Sequence, residues 1–434
     1  MKKTLLALLT AAVATMAYAA DVADIAKKTM EQVTPNTITF KGQDGWLYSK
    51  NELAHLSAGE LAGGKIVEHS KSTKKDNANP IPAMEAFNNE LKELGAKLIV
   101  VPVPPKCAVV PFEGLKQGDA MMYLKPFYEE LRAKGIEVLD LYDTFAASKD
   151  PVYCKQDAHW NQVGIKLAVK KLAELSKLEP GKETFEGKDE KIRIVGDLML
   201  SLDKSAQPSE ELSITKYAGK LIDESSPVLI LGDSHTLFLS SGGDMLAENA
   251  GLAECLASEL KMPVDRIGVK GSASTVVRTN LYRKATKDVA WIKNKKVVIW
   301  CFSAREFTES TSGWVVVPVI KKEQYPHSSY KLISPPSEPQ PVPGAFCLRN
   351  YPHRFQNDLI DEPDIKSLFR NSAACIPHFF TDLRFLKQEQ HFLYKRINIF
   401  NWNKKTIFPF NDCFPASGGI RCNNRFTARH GLQY

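Results

Sequence analysis

Beyond residue 20 the sequence has no uninterrupted apolar run of about eighteen residues, so no membrane-spanning helix is expected in the mature chain. It has eight cysteines but no Cys-x-x-Cys pair, which argues against a zinc ribbon or a thioredoxin-like redox motif. No internal repeat is present, so repeat-built folds drop out. A charge excess is also missing where the main domain would sit. The chain carries 57 basic and 50 acidic residues; 16 and 9 of these lie from Lys321 onward, leaving 41 of each sign before it. The net charge of +7 therefore belongs to the tail, and the charge balance of the main part points to no nucleic-acid partner.

The 434 residues are 44% apolar and 25% charged, a mixture that permits one large domain with an appendage or two ordinary ones. Residues 1–19 read as a secretory signal peptide. "MKK" is basic, "LLALLTAAVATM" is a short apolar run, and Ala17-Tyr18-Ala19 places small residues at the cleavage spacing. An uncleaved anchor is the alternative, and the small residues favour cleavage after Ala19. A periplasmic mature protein of a Gram-negative bacterium is expected. That compartment permits disulfides, although the spacing of the cysteines assigns none.

Residues 36–50, "NTITFKGQDGWLYSK", predict an opening hairpin. A strand–helix alternation follows. Strands are expected at "AKLIVVPVPP" (96–105), "IEVLDL" (136–141), "PVLILG" (227–232), "DRIGVKG" (265–271) and "VVIWCF" (297–302). Helices are expected over 81–95, 119–135, 160–178, 244–261 and 279–296. Such alternation predicts an α/β fold, a mainly parallel sheet with helices on both faces, whose ligands bind beyond the carboxyl ends of the strands. The domain is expected over 20–322, followed by a Pro-rich linker at 323–345 and a tail at 346–434. For the tail, a small β-rich module that grips a polymer, an unstructured stretch, and a shifted reading frame all stay open.

Two strings carry the chemistry. In "LILGDSHTLF" (229–238) a strand runs into Gly232-Asp233-Ser234-His235. "DAHWN" (157–161) supplies Asp157, His159 and Asn161 ahead of a helix. A serine hydroxyl needs an adjacent base, and the base needs a group that fixes its tautomer. The expected triad is Ser234 as nucleophile, His159 as base and then acid, and Asp157 as orienting group. Gly232 would permit a tight turn and close approach of substrate. Asn161, Arg305 and Lys106 are candidates for substrate or oxyanion contact.

"GDSH" after an apolar strand resembles the first block of the SGNH/GDSL hydrolase superfamily. The Asp-x-His ahead of the serine is similar to the alginate O-acetyltransferase family, the AlgJ/AlgX-like SGNH domains. "GQDGWLY" (42–48), "LIVVPVPPK" (98–106) and "WCFSAREF" (300–307) resemble further blocks of that family, in family order. The resemblance implies an SGNH three-layer sandwich and transfer of an acetyl group to a polysaccharide hydroxyl in the periplasm. It implies an acetyl-serine intermediate and no cofactor. A membrane-bound acyltransferase would relay the acetyl group. The alternatives are an acetylesterase on the same triad, a metal site built from Asp157, His159, Asp233 and His235, and a non-catalytic glycan-binding scaffold.

Overall fold

Three apolar strands buried on both faces carry the fold. In the computed structural model, which describes residues 22–325 apart from 33, 35, 113 and 272, there are nine strands. They are β1 (Thr39–Lys41), β2 (Leu47–Ser49), β3 (Lys97–Val103), β4 (Glu137–Val138), β5 (Gly187–Ile194), β6 (Glu210–Tyr217), β7 (Val228–Gly232), β8 (Asp265–Gly268) and β9 (Val297–Ser303). The central sheet has the order β4-β3-β9-β7-β8, and every pairing in it is parallel. The pairs β1–β2 and β5–β6 are separate antiparallel hairpins.

The period-two alternation of side chains sorts these strands into two cores. Leu98, Val100, Leu229, Leu231, Val298, Trp300 and Phe302 join one cluster, with the helices Pro80–Glu93, Leu124–Ala133 and Val276–Lys287 over it. Ile99, Val101, Val228, Ile230, Val297 and Ile299 join the other, covered by Gln162–Ser176 and Leu252–Leu260. The result is a three-layer α/β sandwich. No helix among the described residues is long and apolar enough to cross a membrane.

Several expected elements are shorter than their patterns suggest. Residues 136–141 pair only at Glu137–Val138, because the Asp140 carboxylate accepts from the Tyr142 N–H at 2.9 Å and turns the chain into a helix. The helix expected from 244 starts at Leu252; Leu246 and Asn249 have positive φ, and the Glu254 carboxylate caps the Gly251 N–H at 3.1 Å. Residues 279–296 form part of two helices, Val276–Lys287 and Val289–Lys293, with Asp288 capping the second through Trp291 N–H at 2.9 Å. The helix expected over 119–135 opens with a 3-10 turn and is regular only from Leu124. The β5–β6 hairpin was not expected at all. Cys107, Cys154, Cys255 and Cys301 are buried and free. The signal peptide, most of the Pro-rich linker and the tail lie outside the described residues.

Gly232 ends β7 for a packing reason. A Cβ there would stand 1.9 Å from the Cys301 carbonyl oxygen of β9. The close approach that the structure shows is to the neighbouring strand. Gly232→Ala should lower stability by about 1–3 kcal/mol, from overpacking, as read by urea unfolding; an unchanged midpoint would contradict this packing.

Candidate active site

The carboxyl ends of β3, β7 and β9 open onto one edge of the sheet. Ser234 lies just beyond β7 and starts a 3-10 turn capped by Asp233. The Asp233 carboxylate accepts from the N–H of His235 at 2.9 Å and of Ser303, at the end of β9, at 2.9 Å. It also takes a hydrogen bond from His235 Nδ1 at 3.1 Å when that nitrogen carries the proton. Burial works against its charge, but the His235 ring and these donors prevail and bring its pKa down to about 2. Asp233 therefore fixes the serine turn on the sheet. Burial depresses the His235 pKa, which favours the neutral ring.

Residues 152–161 fold back on themselves. Asn161 N–H donates to Val152 O at 2.9 Å, and Cys154 N–H to His159 O at 3.2 Å. Asp157 and His159 lie at the far end of this loop. His159 Nδ1 is 2.6 Å from Asp157 Oδ1, and His159 Nε2 is 2.7 Å from Ser234 Oγ. Phe238 stacks on the imidazole with centroids 4.8 Å apart, and Trp160 Nε1–H donates to His235 O at 3.3 Å. The two strings are thereby tied through both backbone and rings. Asp157 and His159 are buried while Ser234 is half-buried.

Charge placement suits this order. Burial alone would raise the Asp157 pKa, yet it is lowered by the His159 ring and by the N–H groups of Asp197 and His159. Burial alone would lower the His159 pKa, yet it is raised by the Asp157 carboxylate. With Asp157 holding Nδ1–H, Nε2 is left to accept the serine proton. The Ser234 N–H donates to no group among the described residues, so it is free to meet an oxyanion.

The family model for the SGNH hydrolase-like domain of acetyltransferase AlgX matches residues 39–304. The chain belongs to that family. Among solved structures, the chain is similar to the O-acetyltransferase domain of Pseudomonas putida AlgJ, at 18% identity and a TM-score of 0.46, over 62% of this chain and 92% of that one. It is similar to Pseudomonas aeruginosa AlgX at 19% identity and a TM-score of 0.43, over 62% of this chain and 63% of that one, less than two thirds of its length. Bacillus cereus PatB1 follows at 13% identity and a TM-score of 0.37, over 62% and 97%. No curated protein matches the chain.

The other residues singled out in this AlgX-family chain have different placements. Asn161 caps the helix Gln162–Ser176, accepting from Val163 N–H at 2.9 Å, and its Nδ2 donates to Pro151 O at 2.7 Å. Both ends of its amide are used by the fold, so it supports the loop. Lys106 is fully buried, which removes it from any substrate surface. Its ammonium donates to Leu47 O at 2.8 Å and to Asp157 O at 2.6 Å, while its backbone N–H donates to Glu52 Oε1 at 2.8 Å. It holds the Asp157 backbone from below. Arg305 is half-buried just past β9; among the described residues its side chain makes no ion pair, and its one side-chain hydrogen bond, to Ser49 Oγ, is a long 3.5 Å.

The metal set of Asp157, His159, Asp233 and His235 does not assemble. Asp157, His159 and Asp197 are the group whose ligand atoms lie within 4.8 Å of one another. Both nitrogens of His159 already face Asp157 and Ser234, so a metal there would have to displace one of them. A cleft of about 760 Å³ lies beside the loop, lined by Asp44, Tyr153, Gln156, Asn161 and Glu210 among others; it includes none of Asp157, His159 and Ser234. Sequence reasoning missed Asp197 and Glu210. The alternation of Ile192 with Ile194 and of Leu212 with Ile214 could have revealed their hairpin, but not where its carboxylates would land.

Two outcomes follow from this geometry. Only neutral His159 can take a proton, and its pKa is raised, so acylation by an acetyl ester should climb with pH through a midpoint above 6.5. A pH–rate profile already flat below that value would contradict the Asp157 contact. Lys106→Ala leaves the buried carbonyls of Leu47 and Asp157 without their ammonium donor. It should cost roughly 1–3 kcal/mol for each in urea unfolding.

Proposed function

We propose that this protein is a periplasmic polysaccharide O-acetyltransferase that works through an acetyl-serine on Ser234. The hydrogen-bonded run from Asp157 through His159 to Ser234 carries this reading, and membership of the AlgX-type family supports the choice of acetyl group. An alginate-like exopolysaccharide is the proposed acceptor class. The leader-like residues 1–19 support the periplasm. A membrane-bound acyltransferase is the proposed source of the acetyl group.

In the first half-reaction His159 Nε2 takes the Ser234 proton as Oγ attacks the acetyl carbonyl. The oxyanion meets the Ser234 N–H, and the donor leaves with the proton from His159. In the second, a sugar hydroxyl gives its proton to His159 and attacks the acetyl-serine. The ester passes to the sugar, and the proton returns to Ser234 Oγ. Asp157 keeps its charge throughout and steadies the imidazolium. Arg305, the predicted contact residue whose donors the fold leaves largely unused, is proposed to face the substrate. Water in place of the sugar would make the same steps an esterase reaction, so acceptor orientation and water exclusion decide the outcome.

Exposure to an activated acetyl ester should leave one acetyl on the peptide containing Ser234, seen by mass spectrometry. Ser234→Ala should remove it and lower turnover about a million-fold. Added oligosaccharide should become acetylated; free acetate as the sole product would make the protein an esterase. A Ser234→Ala variant with near-normal turnover would end the serine reading.

A further inference from the structure

The loop that carries Asp157 and His159 is held mainly by groups outside the five-stranded sheet. The Lys155 N–H donates to Glu210 Oε1 at 2.7 Å, and the next N–H, of Gln156, donates to Glu210 Oε2 at 2.8 Å. One carboxylate thus satisfies two successive donors. The Ala158 N–H donates to Asp197 Oδ1 at 2.8 Å, and the Asp197 N–H donates to Asp157 Oδ2 at 3.0 Å. Met199 N–H donates to Gln156 O at 3.1 Å. Gly196 lies so close that a Cβ there would be 2.1 Å from Gln156 O. On the other side Leu47 N–H donates to Lys155 O at 2.9 Å, the Lys155 ammonium to Asp44 O at 3.3 Å, the Tyr153 hydroxyl to Pro104 O at 2.5 Å and the Lys106 ammonium to Asp157 O.

Glu210 opens β6, and Asp197 opens the short helix that follows β5. Their hairpin is itself anchored. The Gln162 side chain, in the first turn of the helix after the loop, accepts from Thr215 N–H at 2.6 Å and donates to Thr215 O at 2.7 Å. The arm is therefore joined to the loop at Lys155, Gln156 and Ala158, and to the helix that follows it at Gln162.

We propose that the β5–β6 arm is a positioning clamp for the general base, with Glu210 and Asp197 as its two positioning residues. The inference rests on the serine-relay reading above. Glu210 fixes the path of the loop into Asp157. Asp197 turns the Asp157 carboxylate with its N–H and places a second negative charge beside His159. A displacement of the imidazole by about 1 Å is enough to cost on the order of a hundred-fold in rate. The charged and titratable groups facing His159 are Asp157, Asp197, Asp233 and His235, with Lys106 below the loop. Asp197 is exposed along its flank, but its carboxyl is crowded by protein and by the Asp157 charge, which raises its pKa.

The test uses the full chain with Glu210→Gln and Asp197→Asn, acylated by an acetyl ester under mass-spectrometric control at Ser234. Glu210→Gln, whose amide can accept from only one of the two N–H groups, should lower kcat at least ten-fold with KM within two-fold. Asp197→Asn should shift the pH midpoint of acylation downward, because a negative charge beside His159 is lost and the imidazolium is less favoured. Folded variants with wild-type kcat and an unshifted midpoint overturn the clamp. If Glu210→Gln does not fold, the Asp197→Asn midpoint decides alone. Wild-type protein that acquires no acetyl on Ser234 overturns the serine reading and the clamp with it. Normal wild-type acylation with unaltered variants overturns the clamp only.

Discussion

A buried carboxylate that must stay charged is the constraint from which the rest of the site follows. Asp157 lies out of water, where ionisation is unfavourable, and it remains ionised only while donors surround it. The imidazole of His159 is one donor, its own loop supplies a second, and Asp197 N–H a third. Each of these requires the loop to hold one shape. The shape in turn delivers His159 Nε2 to within 2.7 Å of a hydroxyl 75 residues away. Remove the compensation and the favourable outcome would be a neutral acid, which would no longer raise the basicity of the ring.

The sheet solves the other half of the problem. In the proposed reaction Ser234 has to be reachable and His159 has to be held still. The strand that leads to it is buried on both faces and paired on both edges, and the Asp233 carboxylate ties the following turn to the neighbouring strand at Ser303. The rigid side of the relay is thus built into the core. The loop side is built from hydrogen bonds, many of them to carboxylates, which are stronger than neutral ones but depend on every partner being present.

Lys106 shows how a residue beside the proposed relay can support it from inside the fold. It is a fully buried cation whose ammonium satisfies the carbonyls of Leu47 and Asp157. The hairpin β1–β2, the end of β3 and the base loop meet at this one group. Family-like blocks around "GQDGWLY" and "LIVVPVPPK" are separate in sequence and adjoin here, so their joint presence has a packing explanation as well as a chemical one.

The sequence by itself determined the parallel sheet and most of its helices, and it singled out Asp157, His159 and Ser234, which the fold brings into one hydrogen-bonded run. Dense apolar strands and amphipathic helices leave period signals that survive in one dimension, and a strand running into Gly-Asp-Ser-His marks the edge where a ligand would bind. Only the tertiary structure decided what Asn161, Lys106 and Gly232 do. A capping amide, a buried ammonium and a glycine pressed on a carbonyl look the same in a string as their ligand-binding counterparts, because the difference lies in which long-range partners consume their hydrogen bonds or space. The same holds for Asp197 and Glu210. They are ordinary acidic residues in a polar stretch until an antiparallel hairpin, stabilised by its own pairing, folds them against a loop some forty to fifty-five residues earlier.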